Sequence, residues 1–73
     1  MIEVRLFATL REGRQKRYDL PAKDVASVLD ILSRLNIPPG EVAILLVNGR
    51  HAKPETTITD GDLVALFPAS GGG

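Results

Sequence analysis

Within these 73 residues a single stretch carries its apolar side chains at helical spacing: Val25, Val28, Leu29, Leu32 and Leu35 fall at i, i+3, i+4, i+7 and i+10. A lone amphipathic helix exposes one apolar stripe and must bury it against something else, so the remaining chain has to supply a sheet. Asp24 is placed to cap the free amides of the first turn, and Asn36 can take the left-handed conformation that ends a helix. Pro38-Pro39-Gly40 then forbids continuation, which predicts a helix over residues 25–35.

Strand patterns lie on both sides of it. Ile2, Val4, Leu6 and Ala8 alternate with Glu3, Arg5 and Phe7, which predicts a strand over residues 2–8 with Phe7 as an aromatic on the otherwise polar face. A polar turn containing Gly13 leads to a returning strand at residues 16–20, stopped by Pro21. After the helix, residues 42–47 are continuously apolar and too few for an independent helix, which suits a strand buried at the centre of a sheet. Asn48-Gly49 tolerates positive φ at both positions and predicts a tight hairpin into a short strand at residues 50–53. Thr59-Asp60-Gly61-Asp62 reads as a further turn into a last strand at residues 63–67.

Hairpin, helix, buried strand, short strand and last strand make an α+β chain with a mixed sheet of four to five strands under one main helix, the order of a β-grasp, or ubiquitin-like, fold. A split βαβ ferredoxin-like arrangement needs a second long helix that the pattern lacks. The expected organisation is one domain over residues 1–67 and a flexible tail over residues 68–73. Formal net charge is zero, from 9 basic and 9 acidic side chains, so no global field attracts nucleic acid or an anionic membrane. Cysteine is absent, which removes disulfides, thiolate metal sites and a cysteine nucleophile. No apolar run approaches the roughly 20 residues of a membrane helix, and no signal pattern opens the sequence; a cytoplasmic protein is expected.

The sequence ends on Gly71-Gly72-Gly73. Glycines without Cβ make a slender segment that can enter a narrow channel, and an α-carboxylate on Gly73 is ionised at neutral pH. Taken alone, such an ending is no more than a frayed terminus.

Several motifs together resemble the MoaD/ThiS family of small sulfur carriers, and within it the small subunit of molybdopterin synthase. The stretch from Val4 to Glu12 resembles that subunit's opening strand, with its Phe-Ala-x-Leu/Val-Arg-Glu ending. Val47-Asn48-Gly49 resembles the family's central hairpin, and Thr59-Asp60-Gly61-Asp62-Leu63-Val64 its turn into the final strand. Phe67-Pro68-Ala69-Ser70-Gly71-Gly72-Gly73 resembles Phe-Pro-x-x-x-Gly-Gly with spacing preserved, so Gly71 stands at a variable position. Each piece alone is an ordinary turn or strand end; their order is specific. A shortened hairpin region after Glu12 and the third glycine depart from the pattern, as a branch devoted to tungsten-cofactor synthesis or tRNA thiolation would.

The resemblance implies a carrier with no catalytic groups and no bound cofactor of its own. Its Gly73 carboxylate would be adenylated with ATP by a ubiquitin-activating-like adenylyltransferase, converted to a thiocarboxylate with sulfur from a donor protein, and presented to the large subunit of molybdopterin synthase. Thiamin synthesis, tRNA thiolation and ubiquitin-like modification of lysines are the alternatives. Phe7 and Phe67 are expected to anchor partners, with Pro68, Ser70, Gly71 and Gly72 as the stem that partners grip; Phe67 reads equally well as core.

Other residues suggest less. His51 is the only histidine and has no companion at ligand spacing, so metal binding is not expected. Arg11, Arg14, Lys16 and Arg17 read as a solvated basic turn able to steer an acidic partner. Asp60 and Asp62 read as turn formers, and Asp24, Asp30 and Glu41 show no pairing pattern. Lys16, Lys23 and Lys53 are potential isopeptide acceptors on which the sequence is silent.

Overall fold

The computed structural model describes residues 1–69. Its strands are β1 (Ile2–Leu6), β2 (Arg17–Leu20), β3 (Val42–Val47), β4 (Arg50–His51) and β5 (Leu63–Pro68), and its α-helix is α1 (Val28–Arg34). The sheet order is β2-β1-β5-β3-β4, with β1 and β5 parallel at the centre and the other neighbours antiparallel. This is the β-grasp arrangement expected from the order of elements.

The core lies between the sheet and α1. Ile2, Val4 and Leu6 of β1, Val64 and Leu66 of β5, and Leu45 of β3 meet Val28, Ile31 and Leu32 of the helix. Leu10, Val25, Ile37 and Ile58 close the edges from the connecting segments. Each such side chain stabilises by about 1.5–3 kcal/mol when fully withdrawn from water, which is why a few strands and one short helix suffice. Among the described residues no helix is long and apolar enough to cross a membrane.

Several boundaries differ from the sequence expectation, for local reasons. The helix is shorter than residues 25–35: Val25 is extended (φ −134°, ψ 112°) yet buried at 3 % exposure, so its apolar character served the core without serving the helix. Asp24 is in a preceding 3-10 turn and does not cap α1; Ser27 is the N-cap, and the Asp30 carboxylate accepts from the backbone N–H of Ala26 (2.7 Å) and Ser27 (3.3 Å). The next two amides of α1, on Val28 and Leu29, donate to the carbonyls of Thr56 and Pro54, so the loop before β5 also caps the helix. Leu29 itself is 44 % exposed, at the rim of the apolar stripe. Asp24 instead pairs with Arg34 at 3.7 Å, so both aspartates read as unpaired have partners.

Asn36 has the expected positive φ of 55°, and Asn48-Gly49 (φ 53° and 82°) forms the tight β3-β4 hairpin. β4 is limited to two residues, shorter than the 50–53 expected, and β5 continues one residue beyond Phe67. β1 stops at Leu6 because Ala8 turns to φ 52°, and the chain winds into a 3-10 turn, Ala8–Arg11, that buries Leu10. The largest departure concerns β3. Its apolar run is not buried on both faces: Leu45 is 7 % exposed, but Ile44 is 43 % exposed and Ala43, at a register irregularity between Val42 and Ile44, is also open.

Candidate docking face and C-terminal stem

The face of the sheet turned away from α1 divides into two halves. On β1 and β2 it carries Glu3, Arg5, Arg17 and Asp19, placed together by the pairings Glu3↔Asp19 and Arg5↔Arg17. These charges answer one another: Arg5 pairs with Glu3, and Arg17 lies 3.7 Å from Glu3 and 3.3 Å from Asp19. On β5 and β3 the same face is apolar. Ala65 opposes Leu46 and Phe67 opposes Ile44, while Leu66 and Leu45, paired between them, point into the core.

Phe7 leaves the end of β1 at the upper edge of this apolar half. Its backbone N–H donates to the Leu66 carbonyl at 3.2 Å, continuing the parallel ladder and bringing its ring beside that of Phe67. The two rings stack with centroids 4.3 Å apart and planes 8° apart. Both are half-buried and lie outside the core cluster, so Phe67 belongs to the outer face. The structure thus stacks against each other the two aromatics that the sequence offers as a pair of partner anchors.

Arg11 completes the group. Its Nε donates to the Leu6 carbonyl at 2.7 Å, and its guanidinium carbon stands over the Phe7 ring, 5.3 Å from the centroid. Arg14, from the same basic run, behaves differently. Its guanidinium donates to the carbonyls of Leu35 (3.1 Å), Asn36 (2.8 Å) and Leu10 (3.2 Å), which ties the β1-β2 connection to the C-terminal end of α1. The run is therefore not a uniformly solvated turn.

The stem begins beside the aromatic pair. Pro68 pairs with Val42, and the Ala69 N–H donates to the Glu41 carbonyl at 3.0 Å, so the chain is still held against the start of β3 as it leaves Phe67. Ser70, Gly71, Gly72 and Gly73, the remaining predicted site residues, lie outside the described residues.

At the other end of β5 the turn is locked by side chains. The Asn48 amide donates to Asp62 Oδ1 (2.9 Å) and its oxygen accepts from the Leu63 N–H (2.9 Å), while the Thr59 N–H donates to Asp62 Oδ2 (2.8 Å). The Thr59 N–H, and then the Asn48 amide, hold the Asp62 carboxyl below the ordinary aspartate range. Asp62 is thus a fastener between two turns. His51 is exposed opposite Leu46, at the lower rim of the apolar half. Among the described residues no three His, Cys, Asp or Glu side chains gather as a metal site would require.

Ile44 and Leu46 belong to this face and were not anticipated; Arg11, read from the sequence only as one of a basic run able to steer an acidic partner, borders it by packing on Phe7. The signal for Ile44 and Leu46 was present in the alternation of β3, once β3 is set antiparallel to β5 with Leu45 facing inward. The placement of Arg11 depends on the positive φ of Ala8, which an alanine does not advertise.

A sequence profile of the ThiS family matches residues 4–73. No curated protein matches. Among solved structures, the chain is similar to SAMP1, small archaeal modifier protein 1, of Haloferax volcanii, at 28 % identity and TM-score 0.66, covering 99 % of this chain and 98 % of that one. It is also similar to a Pyrococcus furiosus protein provisionally described as molybdopterin converting factor, subunit 1 (25 % identity, TM-score 0.66, 94 % and 97 % covered). The fold matches, at 22 % identity and TM-score 0.64, a chain in the complex of subunits 1 and 2 of molybdopterin-converting factor from Helicobacter pylori (99 % and 97 % covered).

Proposed function

The chain belongs to the ThiS family, and from that premise we propose that it is a sulfur carrier whose working group is the carboxylate of Gly73. The observation that carries this reading is the extent of the family match, which takes in the Phe67-Pro68 stem together with Gly72 and Gly73. The carrier provides a docking face and a stem; the chemistry on the stem is supplied by partners.

A carboxylate does not exchange oxygen for sulfur unaided, because oxide is a poor leaving group. In the proposed cycle a ubiquitin-activating-like adenylyltransferase binds the chain and ATP. The Gly73 carboxylate attacks the α-phosphate, pyrophosphate leaves, and an acyl-adenylate forms. A persulfide sulfur from the donor protein then attacks the acyl carbon and expels AMP. A thiol cleaves the resulting acyl disulfide, itself becoming a disulfide, and leaves the thiocarboxylate. Glycines at the reacting end let the backbone lie in a narrow channel as an extended strand. Docking of the folded part supplies proximity in place of side-chain catalysis.

The likeness to the Pyrococcus furiosus subunit supports molybdopterin synthesis as the use of the sulfur, with the large subunit of the synthase as second partner. Transfer of the sulfur to a thiamin precursor or to tRNA begins with the same activation. A second reading, modification of lysines through Gly73, is favoured by the similarity to SAMP1 over nearly the whole chain.

Mass spectrometry after incubation with the adenylyltransferase, ATP and a sulfur donor separates these. A gain of about 16 Da, sulfur for oxygen at Gly73, is expected of a carrier, and no gain under any donor would overturn it. Lysines of other proteins carrying the C-terminal residues of this chain in isopeptide linkage are the result expected of a modifier, the branch being longer than Gly-Gly because no Lys or Arg follows Lys53. Adding the large synthase subunit and a pterin precursor to the thiocarboxylated chain tests the molybdopterin assignment, which predicts loss of those 16 Da, about one sulfur exchanged for oxygen.

A further inference from the structure

We propose that Arg11 is a preformed receptor for a carboxylate on a protein partner that docks on the apolar half of the outer face. This rests on the docking step of the carrier cycle. It adds which side chain of this chain fixes the partner's register, and what chemistry that partner must present.

Most other arginines are already engaged. Arg5 and Arg17 are answered by Glu3 and Asp19, Arg34 by Asp24, and Arg14 by three backbone carbonyls. Arg11 is held at its Nε by the Leu6 carbonyl and over its face by the Phe7 ring, yet among the described residues its terminal nitrogens make no ion pair. A guanidinium that covers a ring keeps its N–H donors in its own plane, so packing on Phe7 leaves a fork free for a two-point bond to a carboxylate. Because the side chain is already immobilised, little rotamer freedom remains to be lost when that bond forms.

The backbone shows how the arginine is placed. Ala8 occupies a positive φ of 52°, an uncommon state for alanine, and that turn carries Arg11 back over the ring of Phe7. Arg11 therefore borders the pair Phe7 and Phe67, which in turn adjoins Ile44, 43 % exposed. A fixed cation beside aromatic and aliphatic surface suits a protein side chain pair, one acidic and one apolar. A lone arginine followed at once by Glu12 makes a poor site for a nucleic-acid backbone, which would need several unpaired cations in a row.

The test measures binding of the full chain to the adenylyltransferase, by calorimetry, for the wild type and for Arg11→Gln, Arg11→Lys and Arg11→Glu. Arg11→Gln is expected to bind about tenfold more weakly at low salt, Arg11→Glu more weakly still, and Arg11→Lys between wild type and Arg11→Gln, because it keeps the charge without the fork. The difference between wild type and Arg11→Gln should shrink as salt rises toward about 1 M. Nuclear Overhauser contacts between the Phe7 and Phe67 rings should survive in the free Arg11→Gln chain. A binding loss that is independent of salt, or loss of the ring contacts, means that Arg11 acts only by supporting Phe7 and overturns the inference. Equal binding of all four chains overturns it too, while leaving sulfur carriage intact. An adenylyltransferase that binds none of them removes both.

Discussion

The rings of Phe7 and Phe67 lie 4.3 Å apart and nearly parallel, although one follows the first strand of the chain and the other sits in the last. The parallel pairing of β1 with β5 brings them together: Leu6 is opposite Leu66, so the residue after each falls on the same outward side. A local feature of the β-grasp topology thus sets the aromatic surface directly beside the Pro68 stem.

That relationship predicts a coupled pair. Phe7→Ala and Phe67→Ala should each destabilise, and the double variant should lose less than the sum, by about 0.5–1.5 kcal/mol of stacking that either single change already removes. Urea denaturation of the four chains gives the cycle. Both single variants should also weaken partner binding, since each opens the surface that the other supports.

Ile44 and Leu45 are neighbours in β3 with opposite fates, which separates docking from stability. Leu45→Ala removes a side chain that is 7 % exposed and should cost about 2–5 kcal/mol in urea denaturation. Ile44→Asp places a charge where the side chain is 43 % exposed and should cost well under that, about 1 kcal/mol, mostly from lost β-propensity. Its effect should appear instead in pull-down or calorimetry with the adenylyltransferase, as loss of binding by a chain that is still folded.

This pair also shows where sequence reading reaches its limit. The order of elements was legible because period and turn chemistry are local: Asn48-Gly49 and Asn36 adopt the positive φ values that their residue types invite. Burial of a fully apolar run is not local. Whether residues 42–47 face a layer on one side or both depends on how many helices cover the sheet, and α1 covers one face only. Arg14 was misread for a similar reason, because its partners, Leu35 and Asn36, are distant in sequence and offer backbone carbonyls that every residue has.

Arg14→Ala should destabilise by about 1–3 kcal/mol, a larger effect than an ordinary surface arginine produces, because three carbonyls at the end of α1 and in the adjoining 3-10 turn lose their donor. Arg14→Lys should recover little, as a single ammonium does not span the three acceptors. Hydrogen exchange should show the loss concentrated at the last turn of α1.

Ala8→Gly should stabilise. The left-handed state costs an L-residue about 1–2 kcal/mol and costs glycine almost nothing, whereas the extra freedom glycine gives the unfolded chain takes back about 0.4–1 kcal/mol. The net expectation is a gain between zero and about 1.6 kcal/mol, with each ~1 kcal/mol raising Tm by about 4–8 °C in a domain of this size. Ala8→Val should do the reverse, since a β-branched side chain tolerates φ 52° poorly. Scanning calorimetry of the three chains decides it.

Acid should weaken the fold partly through Asp62. The Thr59 N–H and the Asn48 amide favour its ionised form, so its folded pKa lies below that of the unfolded chain, about 3.9 for an ordinary aspartate. A group with a depressed folded pKa contributes its full stabilisation above the unfolded value. As pH falls through that value the unfolded chain takes up the proton first, and the contribution declines until the folded carboxyl is protonated as well. Asp62→Asn removes this titration and leaves a carboxamide with one accepting oxygen, so the Asn48 amide and the Thr59 N–H cannot both be accepted as they are by the two carboxylate oxygens. The variant should therefore be less stable than wild type at pH 7, and the gap should narrow below about pH 4, where the wild-type carboxyl loses its advantage. Urea denaturation of both chains across that range measures the gap, and a constant difference from neutral to strongly acid pH would place the role of Asp62 in shape alone and not in charge.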